Sequence, residues 1–135
     1  MPLSTHDALI YVMVIAASSD AAVSDRELSN IQGLVNRLPV FDGYDQGKLA
    51  ETARNCLDLV KDSSSLDNVL DMVLGAIPSR LRDTAYALAV EVAAVDLRLE
   101  QEELRLLEML RDRLELDSLV TAAIEASARA RLRKA

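Results

Sequence analysis

The stretch that decides the fold is ASSDAAVSDRELSNIQGLVNRL, residues 17–38, because its pattern returns at residues 93–114 as AAVDLRLEQEELRLLEMLRDRL. Corresponding positions lie 76 residues apart, and a mostly apolar stretch precedes each copy. The matched pairs are Ala17/Ala93, Asp20/Asp96, Val23/Leu99, Glu27/Glu103, Leu28/Leu104, Ile31/Leu107, Leu34/Leu110 and Leu38/Leu114. An internal repeat of this kind predicts two similar helical hairpins.

The apolar stretch before each copy predicts a buried helix. Residues from Thr5 to about Ser19 are apolar almost all round, although a short apolar run fits a strand as well as a helix. The second copy resolves this ambiguity, because its counterpart from Ala85 to Ala94 is rich in alanine, with larger side chains at helical spacing. Two matching segments should share one structure, so we expect both to be central helices.

The whole chain is predicted to be a single all-α domain, a bundle of about seven helices. The first hairpin covers about 7–39, linker helices about 42–78, the second hairpin about 80–115 and a C-terminal helix about 117–133. Ser24 and Glu27 form an S-x-x-E capping box at the start of a helix that Pro39 ends. Because one hairpin alone would bury its apolar seam poorly, we expect the two hairpins to pack together about a pseudo-twofold axis.

Composition and charge restrict the classes of partner. Half of the 135 residues are hydrophobic and few are aromatic, which suits closely packed helices. A formal net charge of −7 argues against binding to nucleic acid, because most of this surface would repel phosphate. The C-terminus differs, since four cations there leave −11 on the rest of the chain: Arg129, Arg131, Arg133 and Lys134. They are either a solvated helix end or a basic handle for anionic lipid or an acidic partner.

The sequence favours a cytoplasmic protein that does not cross a membrane. The apolar run from Leu9 to Ala17 is far shorter than the roughly 20 residues of a spanning helix. The start of the chain also lacks the basic residues and the small-residue cleavage pattern of a signal peptide.

Each copy places an Asp near the end of one helix and a Glu in the first turn of the next. A helix C-terminus carries negative partial charge, so Asp20 and Asp96 need compensation there. The free amides that begin the next helix are one source, and a bound cation is the other. For Glu27, the capping box alone is a sufficient structural explanation.

A calcium-loop template tests the cation hypothesis. If Glu27 is the last position of an EF-hand loop, Asp20 takes the fifth position, but the first would be Ala16 and the required glycine is Ala21. The second copy fails in the same way, so neither copy supplies enough oxygen ligands alone. Ligands pooled from both copies could still form one shared site for a divalent cation: Asp20, Glu27, Asp96 and Glu103.

The pattern of an apolar helix ending in A-x-x-D, then an aliphatic residue, E-L and a leucine-rich helix resembles the TerB-like family, associated with bacterial tellurite resistance. The resemblance covers about Asp7 to Asp117, and its motifs are Ala17/Asp20/Val23/Glu27 and Ala93/Asp96/Leu99/Glu103. It implies an all-helical domain with an acidic surface, found in stress-response proteins and, as a similar module, in membrane-anchored co-chaperones. Metal binding through its acidic residues is a hypothesis for that family.

The chain departs from the family pattern directly after each aspartate. The family commonly has glycine there, whereas this chain has Ala21 and Leu97. A side chain resists left-handed backbone angles, so we expect a reshaped loop and weaker metal binding.

The sequence thus predicts a non-enzymatic, TerB-like tellurite or stress-response module. Its acidic surface would bind a divalent cation or a protein partner, with a membrane-associated stress complex as one setting. The alternative is a metal-free interaction scaffold, or a homodimer formed through an exposed part of the leucine-rich helices. A hydrolase with paired carboxylates has suitable residue types, but the sequence defines no substrate pocket.

Single residues carry little chemistry of their own. His6 is the only histidine and is expected to be solvated in the first helical turn, so no histidine-based metal cluster or catalytic relay is available. Cys56 is expected to be an inert, half-buried thiol. The remaining expectations are core packing for Met13, Met72 and Met109, and shared packing with the hydroxyl at a polar edge for Tyr11 and Tyr86.

Overall fold

The structure, a computed structural model, describes residues 3–17, 23–62, 66–93 and 101–135, with the backbone alone for 101–104. These ranges contain seven α-helices, three short 3-10 turns and no strand, so the all-helical prediction is confirmed for them. The helices are α1 (Thr5–Ala17), α2 (Asp25–Arg37), α3 (Leu49–Asp62), α4 (Leu66–Gly75), α5 (Arg82–Ala93), α6 (Gln101–Leu114) and α7 (Ser118–Leu132).

Helix α1 lies at the centre of the bundle. Every residue from Ala8 to Ala16 is buried, which explains why this segment is apolar all round rather than on one face. Its most extensive partner is α5, whose buried residues include Ala85, Ala89 and Ala93. Small side chains let two helices approach closely. Because both helices are largely buried, the prediction of two central buried helices is confirmed.

Helices α2 and α6 are amphipathic and turn one face inward. In α2 the buried residues are Ile31, Leu34 and Val35, and Leu38 caps the C-terminus by donating its amide to the Leu34 carbonyl. In α6 the buried residues are Leu106, Leu107, Leu110 and Leu114. These leucines face the core, so they leave no exposed leucine surface on the described part of α6.

The helices pack in matched pairs. Contacts of α1 with α2 and α3 correspond to contacts of α5 with α6 and α7, and a contact of α1 with α6 corresponds to one of α2 with α5. The 76-residue offset of the sequence repeat aligns α1 with α5 and α2 with α6. Helix α4 packs on α1 and has no counterpart in this scheme.

Three short 3-10 turns refine the predicted connections. Pro39–Phe41 follows α2 directly, Gln46–Lys48 leads into α3, and Ser79–Leu81 precedes α5. Between the first two, Gly43 adopts a φ of 87°, a left-handed angle at which glycine has no steric penalty.

Two predictions for single residues were wrong. His6 is half-buried rather than solvated, because its Nε2 lies 2.9 Å from the Val40 carbonyl oxygen and its ring packs beside Phe41 and Tyr44. Met72 is 45% exposed rather than in the core, because α4 turns Val69 and Val73 inward and Met72 points outward.

Candidate functional site

Of the four predicted acidic ligands, Glu27 is the one whose side chain the structure describes. It is the third residue of α2, and it forms a capping box with Ser24. The Ser24 amide donates to Glu27 Oε1 at 2.9 Å, and the Glu27 amide donates to Ser24 Oγ at 3.1 Å. The predicted capping box is therefore confirmed.

The other three predicted ligands fall in less described parts of the chain. Glu103 lies in α6, the helix that the repeat aligns with α2, and its backbone alone is described. Asp20 and Asp96 lie outside the described residues. Convergence of the four carboxylates therefore stays a prediction.

Within the described ranges, no group of three or more His, Cys, Asp or Glu side chains has an arrangement that could hold a metal ion. Asp20, Asp96 and the Glu103 side chain lie outside the described part of the chain, so this finding does not bear on them. The geometry of Glu27 still limits its role, because Oε1 is engaged with the Ser24 amide and the α2 N-terminus already supplies positive partial charge. The second carboxylate oxygen is the atom left for a further ligand.

A polar network that the sequence did not predict joins three helices. The Tyr86 hydroxyl on α5 donates to Glu125 Oε2 on α7, and Arg111 Nη1 on α6 lies 3.4 Å from the same oxygen. Burial, and then the hydrogen bond to Glu125, raise the pKa of Tyr86, so the phenol keeps its proton at neutral pH. The prediction that the Tyr86 hydroxyl reaches a polar group is thus confirmed, and that group is the Glu125 carboxylate on α7.

A groove of about 600 Å³ lies between α2, α5 and the last turn of α7. Its walls combine leucines with four polar side chains: Asn30, Arg37, Glu91 and Arg131. Arg131 Nη1 lies 2.7 Å from Glu91 Oε1. One of the four C-terminal cations is therefore ion-paired within the fold, rather than simply solvated.

Helix α7 also presents an apolar surface near its start. Leu119 is 75% exposed and Val120 is 37% exposed. A second groove, of about 370 Å³, lies between α7 and α5, with Val120, Ala123 and Ile124 in its wall. This surface was not anticipated, because leucine and valine near a helix start read equally well as core residues.

The thiol of Cys56 is more buried than predicted. It is fully buried, and its Sγ lies 3.8 Å from the Tyr11 carbonyl oxygen. Burial raises the pKa of Cys56 to about 12, so the reactive thiolate is scarce at neutral pH. The buried Cys56 thiol is therefore expected to be unreactive, as the sequence predicted.

None of the helices in the described ranges is long and apolar enough to cross a membrane. Comparisons with protein-family models, with curated proteins and with solved structures each found no match.

Proposed function

We propose that this protein is a non-enzymatic, TerB-like stress-response module of the cytoplasm that acts through acidic side chains at two equivalent helix junctions. The observation that carries the proposal is positional. Asp20 matches Asp96 and Glu27 matches Glu103 in the 76-residue repeat, and the same repeat aligns α1 with α5 and α2 with α6.

The packing of the helices supports the same proposal. The matched contacts of α1 and α5 are what a tandem duplication produces, and TerB-like domains are the family that the repeated motifs resemble. The two hairpins then act as one unit, with equivalent acids contributed by both. A divalent cation or a basic protein segment is the ligand that four carboxylates in a chain of net charge −7 would attract.

A thermal-shift experiment tests the cation version. The melting temperature is measured with calcium, manganese or zinc and again after chelator, for the wild type and for the Asp20→Asn/Asp96→Asn variant. A ligand that binds the folded state alone raises the melting temperature, so we expect a chelator-reversible rise that the variant lacks.

The matched control is Glu51→Gln/Asp58→Asn, which removes two charges from exposed positions on α3. This control should keep the rise. No rise in the wild type, or an equal rise in the Asp20→Asn/Asp96→Asn variant, would remove the cation version and leave the basic partner.

The second candidate is a metal-free interaction scaffold, and the exposed start of α7 is the observation that favours it. Leu119 is 75% exposed, and its neighbour Val120, 37% exposed, lines the groove between α7 and α5. Contiguous exposed apolar surface marks protein contact sites. This surface replaces the leucine-rich helices as the candidate for self-association, because their described leucines are largely turned inward.

Sedimentation tests the scaffold candidate as a homodimer. We expect the wild type to associate at high protein concentration and Leu119→Ser/Val120→Ser to stay monomeric. Both side chains are exposed, so the variant should keep its fold. A wild type that remains monomeric at all concentrations would eliminate the homodimer.

A further inference from the structure

We propose that the groove between α2, α5 and the end of α7 binds an amphipathic anion, a small molecule with an apolar body and a carboxylate or phosphate head. The volume of about 600 Å³ lies within the range of ligand sites in proteins. None of the described residues that line the groove is one of the four acids at the helix junctions, so the two proposals rest on different residues.

The floor of the groove is apolar. Leu34 and Leu88 form buried parts of it, with Ala87 and Leu132 half-buried beside them. An apolar ligand body would cover these side chains and leave water, which is the main driving force for small-molecule binding. A small polar ion has no apolar surface to bury against these side chains.

The rim of the groove carries an excess of positive charge. Arg131 and Glu91 neutralise each other through their ion pair. Arg37 remains, because its Nε donates to the Gly33 carbonyl at 3.0 Å and none of the described carboxylates forms an ion pair with it. Its terminal guanidinium nitrogens are therefore left to bind a ligand from the groove.

The charge and the floor together select the ligand class. A guanidinium binds carboxylate or phosphate through two parallel hydrogen bonds, and the Asn30 amide is a neutral donor elsewhere in the groove lining. The groove lining sums to one positive charge in a chain of net charge −7. An anionic head at Arg37 with its apolar body on Leu34 and Leu88 satisfies both parts of the lining.

The experiment is an NMR titration of the labelled protein with decanoate, kept below its micelle concentration. We expect saturable amide shifts concentrated at the ends of α2 and α7 and along α5. Butyrate lacks the apolar body and 1-decanol lacks the charge, so both should bind at least about tenfold more weakly.

Arg37→Gln is the diagnostic variant, and Arg54→Gln, an exposed arginine on α3, is its matched control. Decanoate affinity should fall about tenfold in the first and stay unchanged in the second. Because Arg37 is exposed, the variant should melt as the wild type does. Equal affinity of Arg37→Gln and wild type would overturn the proposal and leave Arg37 as a cation that merely complements the α2 dipole.

Vesicles distinguish a free amphiphile from a membrane surface. If the groove is the site, the protein should bind monomeric decanoate and should not bind vesicles of neutral phosphatidylcholine. Binding to vesicles that contain anionic phosphatidylglycerol, with no decanoate shifts at the groove, would contradict the proposal and assign the cations at the C-terminus to a lipid surface.

Discussion

The phenol of Tyr86 donates a hydrogen bond to Glu125 Oε2 at a distance of 2.5 Å, and this contact joins α5 to α7. The Tyr86 side chain is 1% exposed, so its hydroxyl has no access to bulk water. Arg111 approaches the same carboxylate from α6. One carboxylate on the last helix thus connects it to the two helices of the second hairpin.

Replacing Tyr86 with Phe should lower the free energy of unfolding by about 1–3 kcal/mol, because a charged acceptor loses its buried donor. Tyr44→Phe is the control, since the Tyr44 hydroxyl bonds to the neutral Thr52 hydroxyl at 2.9 Å. That loss should be about 0.5–1.5 kcal/mol. Urea denaturation measures both, and a smaller loss for Tyr86→Phe than for Tyr44→Phe would contradict the role assigned to Glu125.

Alkaline pH should destabilise the protein through its buried weak acids. Burial raises the pKa of Cys56 from 9.0 to about 12 and raises the pKa of Tyr86 above its ordinary value of 10.0. As pH rises above about 9, the unfolded chain therefore loses protons that the native protein keeps. The unfolded state then binds fewer protons, so the free energy of unfolding falls between about pH 9 and 12.

Urea denaturation from pH 7 to pH 11 measures this dependence. In Cys56→Ala the decline with pH should be shallower, whatever the cost of the cavity at neutral pH. An identical slope for wild type and Cys56→Ala would show that the thiol ionises alike in both states.

The capping box at the start of α2 should be worth about 1 kcal/mol. Ser24→Ala removes the acceptor for the Glu27 amide and should lower the free energy of unfolding by about 0.5–2 kcal/mol. Ser29→Ala, at an exposed position inside α2, should change it by less than about 0.5 kcal/mol. Thermal and urea denaturation measure both changes. Equal losses for Ser24→Ala and Ser29→Ala would show that Ser24 does not act as a cap.

The close approach of α1 and α5 should make the alanines of α5 sensitive to size. Ala89 is fully buried, so Ala89→Leu should cost about 1–3 kcal/mol through overpacking. Ala122→Leu, on the exposed face of α7, places the same side chain in solvent and should be nearly neutral. A tolerated Ala89→Leu would mean that the central helix pair is less tightly packed than its burial indicates.

Sequence patterns were sufficient where the cause of a structure is local. The Ser24 and Glu27 pair sits within one helical turn, so its spacing alone specifies the cap. The burial of α1 was also predictable, because a helix that is apolar all round is typical of a protein interior, and α5 followed from its match to α1 in the repeat.

Patterns failed where the cause is a distant contact. The hydrogen-bond partner of His6 is the Val40 carbonyl, 34 residues further along the chain, and no residue near His6 in the sequence indicates it. The groove at Arg37 and Arg131 depends on two helix ends meeting across α5, which spacing within either helix does not encode. Met72 has helical core spacing, yet the packing of α4 on α1 decides which of its faces is inward.

The central position of α1 has a consequence for biosynthesis. Its main partner, α5, is translated more than sixty residues later, so nine consecutive buried residues leave the ribosome before a large part of the surface that covers them exists. Nascent chains interrupted before α5 emerges should therefore be bound by chaperones or degraded. Emergence of α5 then supplies the main surface that shields this segment from aggregation.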